Sequence, residues 1–135
     1  AVAPGKRPYH TIIPGLVTHE DGEFYACFGV MGAFMQPQGH LQVASNMIDY
    51  EMDSQEALDA PRFKIEVEAD QNVLVEEDLS PDVIKDLEKR GHTIQVVSGY
   101  DRAGFGGGQV ISRDVETGVL TAGSEPRKDG AAAGY

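Results

Sequence analysis

The sequence predicts an α+β fold, because strand-like segments and amphipathic helical patterns occur along the chain without the strict alternation of a parallel α/β protein. Near the amino terminus, Thr11 to Thr18 and Glu23 to Val30 are rich in apolar and β-branched residues, and the polar stretch 19–22 between them is typical of a hairpin loop. Near the carboxyl terminus, Gln109 to Ser112 and Gly118 to Ala122 flank a second polar turn. We expect a single segment over residues 1–135, without internal repeats or a domain boundary.

The first helix is predicted over Pro37 to Tyr50, with proline tolerated in its first turn. Its apolar residues recur at helical spacing, and this face is expected to pack on the sheet: Leu41, Ala44, Met47 and Ile48.

Two shorter helices follow. Asp53 and Glu56 have the spacing of a capping box, which predicts a short helix that ends before Pro61. Ser80 followed by Pro81 indicates the start of a third helix, and Gly91 indicates its end. Short strands are expected around them, at Phe63 to Val67, Asn72 to Val75 and His92 to Val97.

Composition excludes several classes of function. Twenty-two acidic residues against eleven basic ones give a net charge of −11, which disfavours both nucleic acid and anionic membrane surfaces as partners. No apolar run approaches the roughly 20 residues of a membrane span. The single cysteine, Cys27, has no disulfide partner and is expected to be a small buried hydrophobe. The histidines, at positions 10, 19, 40 and 92, lack the spacing of zinc ligands, so neither a metal nor a cofactor is expected.

A glycine-bearing corner lies between the strand that ends near Val30 and the helix that starts near Pro37. Small residues at such a corner leave backbone N–H groups unobstructed, and the helix start favours an oxyanion there. Gly32 and Ala33 are therefore candidates for stabilising a developing negative charge. The local pattern equally permits a purely conformational role, in which Gly32 relieves a tight turn.

Two other motifs are interpreted as structural. The glycines at 106–108 lack a following Gly-Lys-Ser/Thr, so they are expected to permit close backbone approach rather than to bind phosphate. The acidic patch 76–78 is expected to be a solvated loop.

Several segments together resemble the carboxyl-terminal part of the gamma-glutamyltranspeptidase, or glutathione hydrolase, family. Lys6 to Pro14 is similar to the family's Lys-Arg-Pro segment, Gln42 to Tyr50 to its Asn-x-Ile-Asp signature, and Gln55 to Arg62 to its Glu-Ala-x-x-Ala-Pro-Arg signature. The ending from Gly123 to Tyr135 is similar to the family's Asp-Pro-Arg terminus with its closing Gly-Tyr. The version of the corner from Met31 to His40 resembles a divergent branch that includes the cephalosporin and glutaryl acylases.

The resemblance implies an N-terminal-nucleophile hydrolase with a four-layer αββα sandwich, formed when a precursor cleaves itself into large and small subunits. In that family an amino-terminal threonine attacks the gamma-glutamyl amide and its own α-amine acts as base. This chain matches most of the small subunit, so we expect the threonine, the start of that subunit and the large subunit to lie upstream. Family members are often periplasmic or extracellular, and the compartment of this protein stays open.

Residue by residue, the resemblance places the family's oxyanion-hole Gly-Gly pair on Gly32 and Ala33. It places the Ser-Ser pair that holds the substrate α-carboxylate on His10 and Thr11. Thr11 retains a hydroxyl donor, whereas His10 introduces a titratable ring, which puts glutamyl specificity in question.

Three hypotheses follow. The parent protein transfers or hydrolyses gamma-glutamyl amides, or it is an amide hydrolase of the cephalosporin or glutaryl acylase type. The third hypothesis is that this segment is a structural module without chemistry of its own. In isolation it is expected to be inert and to self-associate, because strand edges and an apolar face are left uncovered.

Overall fold

The computed structural model describes residues 1–66 and 72–134. Within these ranges, seven strands and three α-helices follow in chain order: β1 Gly15–Thr18, β2 Phe24–Met31, α1 Met35–Ile48, α2 Glu56–Asp59, β3 Phe63–Ile65, β4 Val73–Glu76, α3 Pro81–Lys89, β5 Ile94–Val97, β6 Gly107–Arg113 and β7 Leu120–Ser124. A 3₁₀ helix, Gly99–Phe105, precedes β6. The α+β class predicted from the sequence is confirmed.

The strands form two sheets. The larger is antiparallel with the order β1-β2-β6-β7, and the smaller has the order β3-β4-β5, in which β4 and β5 are parallel and are connected through α3. One face of the larger sheet packs on α1 and α2, which buries a core of Ala26, Val30, Val43, Met47, Ala57, Leu58 and Val110. The other face of this sheet is largely open to solvent.

The prediction of the packing face of α1 is wrong. Leu41 is 65% exposed and Ile48 is 54% exposed, and of the four predicted residues only Met47 is buried. The buried face is Met35, Gly39, Val43 and Met47 instead. Gly39 belongs to it because a Cβ there would lie 2.6 Å from a methyl carbon of Val30. The sequence pattern missed this face because glycine, which allows the closest helix-to-sheet contact, carries no hydrophobic signal.

Two glutamines of α1 cover the outer edge of β3. The amide of Gln42 accepts a hydrogen bond from the N–H of Phe63 (2.9 Å) and donates one to its carbonyl (3.0 Å). Gln38 makes the same pair of bonds with Ile65, at 2.7 and 3.2 Å. Residues four apart on a helix are spaced closely enough to match alternate residues of a strand. The two side chains therefore occupy the ladder positions that a neighbouring strand would fill.

Several element boundaries differ from prediction for local reasons. α1 starts at Met35, two residues before Pro37, because first-turn N–H groups need no helical partner. β1 starts only at Gly15, and the predicted strand residues 11–14 do not belong to a strand. The capping box is confirmed: Asp53 Oδ1 accepts the Glu56 N–H at 2.8 Å, and Glu56 Oε2 accepts the Asp53 N–H at 3.0 Å. The predicted strand residue Val67 lies outside the described residues.

The interpretation of the acidic patch is also wrong in part. Glu77 and Asp78 are exposed, but Glu76 is the last residue of β4 and is fully buried. Its carboxylate accepts hydrogen bonds from three arginines, as described below, so burial does not leave the charge uncompensated.

No helix within residues 1–66 or 72–134 is long and apolar enough to cross a membrane.

Candidate active site

The corner between β2 and α1 has an unusual backbone. Gly32 has φ of 144° and Ala33 has φ of 52°, both in the region that L-residues with a Cβ rarely adopt. Glycine is required at position 32 by space as well, since a Cβ would lie 3.1 Å from Met35 Cβ and 3.2 Å from Gly106 Cα. The backbone is therefore held in a conformation that an ordinary turn does not need.

The carbonyl groups of this corner are directed into the helix start. Gly32 O accepts the Met35 N–H at 2.9 Å, and Ala33 O accepts the Gln36 N–H at 3.0 Å. Because a trans peptide directs its N–H opposite to its carbonyl, the Ala33 N–H faces away from the helix. Within the described part of the chain, neither the Gly32 nor the Ala33 N–H donates a hydrogen bond, and both residues are exposed.

A cleft of about 1040 Å³ runs past this corner. Its walls are segment 9–14, the end of β2, the start of α1 and the start of β6. The predicted site residues His10, Thr11 and Ala33 all line it, whereas Gly32 lies behind Ala33 against Met35 and Gly106. The structure thus brings the three lining residues to one cleft, although they lie on two separate segments of the chain.

Gln36 connects the two sides of the cleft. Its side-chain amide donates to the Thr11 carbonyl at 2.8 Å, which attaches segment 9–14 to the first turn of α1. This contact was missed from the sequence, since nothing in the spacing of a surface glutamine indicates which distant carbonyl it binds.

His40 lines the same cleft, one turn further along α1. Its Nδ1 lies 2.6 Å from the Gln36 carbonyl, and its ring contacts Phe28 with centroids 5.4 Å apart. A carbonyl only accepts, so Nδ1 carries the hydrogen of this bond. The ring is thereby fixed as part of the cleft wall. Cys27 also lines the cleft and is only partly buried, contrary to the expectation of a buried hydrophobe.

A buried cluster of charged side chains lies next to the glycines 106–108, which contact the corner between β2 and α1. Arg62, Glu76, Glu125 and Arg127 are almost inaccessible to solvent, and Arg102 joins them from the 3₁₀ helix. Arg62 binds Glu125 at 2.9 Å, Arg127 binds Glu125 at 2.7 Å, and both Arg127 and Arg102 bind Glu76. The cluster therefore joins α2, β4 and the carboxyl-terminal segment.

Glu125 connects this cluster to the triple glycine. Its carboxylate accepts the Gly108 N–H at 2.6 Å, and a Cβ on Gly108 would lie 2.4 Å from Leu58. At the other end of the turn, a Cβ on Gly106 would lie 2.7 Å from the Met31 carbonyl. The expected close backbone approach to a neighbouring strand is confirmed for Gly106, which faces the Met31 carbonyl at the end of β2, whereas Gly108 approaches the side chain of Leu58.

Burial and the neighbouring charges together lower the pKa of some residues of the cluster and raise the pKa of others. Burial raises the pKa of Glu76, but hydrogen bonds from Arg127, Arg102 and the Arg62 N–H outweigh burial, so the pKa lies below its ordinary value. Burial and repulsion from Arg127 lower the pKa of Arg62. Burial also lowers the pKa of Arg127, but its bonds to Glu76 and Glu125 raise it above its ordinary value.

Among the described residues, no group of three or more histidine, cysteine, aspartate or glutamate side chains is arranged to hold a metal ion.

Comparison with known proteins decides the family. The gamma-glutamyltranspeptidase family model matches residues 1–135. The chain belongs to the gamma-glutamyltranspeptidase family. Its α+β fold is part of the four-layer αββα sandwich of the N-terminal-nucleophile hydrolases, as the resemblance implied.

Three relatives define its position within the family. It is 34% identical over 134 residues to the glutathione hydrolase-like YwrD proenzyme of Bacillus subtilis strain 168, covering 97% of this chain and 25% of that protein. It is 30% identical over 138 residues to the oxamate amidohydrolase proenzyme of Klebsiella pneumoniae, covering 100% of this chain and 26% of that protein. Among solved structures, cephalosporin acylase from Bacillus halodurans matches with a TM-score of 0.85 and 50% identity, covering 100% of this chain and 24% of that one.

The chain thus spans about a quarter of the length of the proteins that it matches. The names of these relatives are those of hydrolases, and the two curated ones are proenzymes, so the gamma-glutamyltranspeptidase family is an enzyme family that includes an acylase-like branch.

Proposed function

We propose that this chain is the carboxyl-terminal portion of the small subunit of an amide hydrolase or acyltransferase, and that it supplies the oxyanion hole. The observation that carries the proposal is the corner at Gly32 and Ala33: both residues are exposed, their N–H groups have no hydrogen-bond partner among the described residues, and Ala33 lines a cleft. The large subunit and the beginning of the small subunit lie outside residues 1–135 of the same precursor.

The two amides act at the step in which the oxygen of the substrate carbonyl becomes negatively charged. The hydroxyl of an amino-terminal threonine outside this chain adds to the substrate carbonyl, with the threonine α-amine as base. The N–H groups of Gly32 and Ala33 donate to the carbonyl oxygen as it becomes negative, and the amine then leaves. Water or an acceptor amine takes the acyl group and regenerates the threonine. His10 and Thr11 contact the acyl group, since they line the same cleft.

The first candidate substrate is a gamma-glutamyl amide of the glutathione type. It is supported by the family and by Thr11, whose hydroxyl remains available for a carboxylate.

The second candidate is a different acyl amide, such as a glutaryl amide. Two observations favour it: His10 stands where the family resemblance places a serine, and the matched cephalosporin acylase is 50% identical to this chain. A competition assay between gamma-glutamyl and glutaryl anilides on the processed parent protein separates the two candidates.

The oxyanion role itself is tested with Gly32→Ala in the processed parent. The added Cβ meets Met35 and Gly106 and disturbs a φ of 144°, which displaces the N–H groups. Loss of one oxyanion donor lowers kcat by about 10²–10³-fold. Gly104→Ala is the control, because a Cβ on this glycine would have nothing within 4 Å, its φ is not positive and it lies outside the cleft. Equal activity of the two variants would refute the role.

A further inference from the structure

α1 presents a second apolar face that the described residues leave largely uncovered. Its exposed apolar side chains include Phe34, 67% exposed, Leu41, 65% exposed, and Ile48, 54% exposed. With Pro37 and Ala44 between them, the spacing is three, four, three and four residues, which is a heptad repeat. We call the five residues Phe34, Pro37, Leu41, Ala44 and Ile48 the outer stripe.

The outer stripe lies nearly opposite the core face of the same helix. At 100° per residue, its mean direction is roughly 160° from that of Met35, Gly39, Val43 and Met47. A helix with apolar residues on two opposite faces is typical of a buried layer between two partners. In the described part of this chain, α1 contacts the larger sheet, α2 and β3, and these contacts leave the large side chains of the outer stripe mostly exposed.

The third face of α1 is already occupied. Gln38 and Gln42 are bonded to β3, and this leaves the outer stripe as the face without a neighbour in the described residues. The stripe extends about 21 Å, from Phe34 to Ile48, at 1.5 Å per residue. A length of four helical turns with heptad spacing matches the ridges of another α-helix better than the two-residue period of a strand.

We propose that an amphipathic α-helix from the remainder of the same precursor docks along the outer stripe. The inference rests on the proposed function, which places most of the precursor outside residues 1–135, and on the fact that the matched proteins are about four times as long as this chain. Because Phe34 follows Ala33 directly and also lines the cleft, the docked helix ends beside the oxyanion corner.

The experiment places a photocrosslinking amino acid at position 41 of the full precursor and identifies the captured peptide by mass spectrometry. The expected product joins position 41 to a helical segment outside residues 1–135, within one molecule. Mixing isotope-labelled and unlabelled precursor distinguishes this product from a link between two copies. A link between copies, or a link only to residues 1–135, would overturn the proposal.

A matched pair of substitutions gives a second readout. Leu41→Glu places a charge in the docked interface and is expected to lower the Tm of the precursor by a few degrees. Val83→Glu on α3, where the native side chain is 46% exposed, is expected to leave Tm unchanged. Equal Tm values for the two variants would contradict docking. Neither readout needs turnover, so an inactive precursor with the expected crosslink refutes the proposed function alone, and an active precursor without it refutes the docking alone.

Discussion

At the scale of single residues, the corner combines strain with exposure. Ala33 has φ of 52°, and an L-residue in that conformation costs about 1–2 kcal/mol relative to its usual backbone. Such strain at an exposed position is typical of a functional site, because nothing in local packing requires alanine there.

This conformation makes Ala33→Gly an informative substitution. Glycine adopts the left-handed region without strain, so we expect the variant to be more stable by about 0.5–1 kcal/mol, with activity of the parent retained. Chemical denaturation measures the change. The control is Ala44→Gly within α1, which should lose about 0.5–1 kcal/mol as glycine normally does in a helix. If Ala33→Gly destabilises the protein as much as Ala44→Gly does, the assigned conformation is wrong.

Glu76 provides a test of the buried cluster. Its pKa is lowered on folding, so the unfolded chain binds the proton more tightly, and its contribution to stability is complete above the ordinary value of 4.5. That contribution is lost as the pH falls from 4.5 through the lower folded pKa. Glu76→Gln removes one of the two buried carboxylates that balance Arg62 and Arg127, and it should cost about 3–5 kcal/mol at neutral pH.

The pH dependence is the decisive part of this test. Urea unfolding of the wild type and of Glu76→Gln should give a constant difference in free energy above pH 4.5 and a shrinking difference below it. A difference that stays constant into the acid range would show that the Glu76 charge is not linked to folding.

At the scale of elements, hydrogen bonding of side chains decides features that periodicity cannot reveal. The edge of β3 is closed by Gln38 and Gln42, and each makes two bonds to one strand residue. This arrangement attaches α1 to the smaller sheet through helix side chains that bond to the backbone of β3.

Gln42→Ala tests the closed edge. Removing its two hydrogen bonds to Phe63, together with its bond to the Gln38 carbonyl, should lower the free energy of unfolding by about 1–2 kcal/mol and accelerate amide exchange at Phe63. Gln95→Ala on β5 is the matched control, since that exposed glutamine makes no side-chain hydrogen bond to a described residue. Unchanged exchange at Phe63 in the Gln42 variant would contradict the closed edge.

Some elements of the fold could be predicted from the sequence and others could not. α3 and the capping box of α2 could be predicted because Ser80, Pro81, Gly91, Asp53 and Glu56 act through local backbone geometry. The packing face of α1 could not, because Leu41 and Ile48 are apolar and yet exposed, while Gly39 lies on the buried face. The ion cluster was missed because its members come from four distant segments, and Glu76 is indistinguishable in sequence from its exposed neighbours.

The site residues also divide into those with a local sequence signal and those whose positions depend on distant contacts. Gly32 and Ala33 were identified from small residues at a strand-to-helix corner, a signal that is local. His10 and Thr11 were identified only through family resemblance, and the structure places both in the cleft beside Ala33. Gln36 was missed as a cleft residue, since its position depends on a contact with Thr11, 25 residues away in the chain.

At the scale of the whole molecule, the larger sheet has an uncovered apolar face. The register of the strands places Leu16, Met31, Ile111 and Leu120 on this face, and their exposed fractions are 70%, 61%, 42% and 63%. In a four-layer sandwich such a face contacts a second sheet.

Residues 1–135 in isolation are therefore expected to self-associate through this face. Sedimentation velocity should show a dimer or a larger species, and the double variant Leu16→Lys, Ile111→Lys should shift the population toward monomer. The control double variant, Val83→Lys, Val115→Lys, changes two apolar residues that are each 46% exposed and lie off the sheet. A wild-type chain that stays monomeric at high concentration would contradict this expectation.

The central claim is that the backbone at Gly32 and Ala33 receives the oxygen of the reacting carbonyl. The most direct measurement is a crystal structure of the processed parent protein trapped as an acyl-enzyme or with a tetrahedral analogue. We expect an oxygen about 2.7–3.1 Å from both amide nitrogens. An oxygen held by other donors, with these two amides bonded to the protein or turned away, would contradict it.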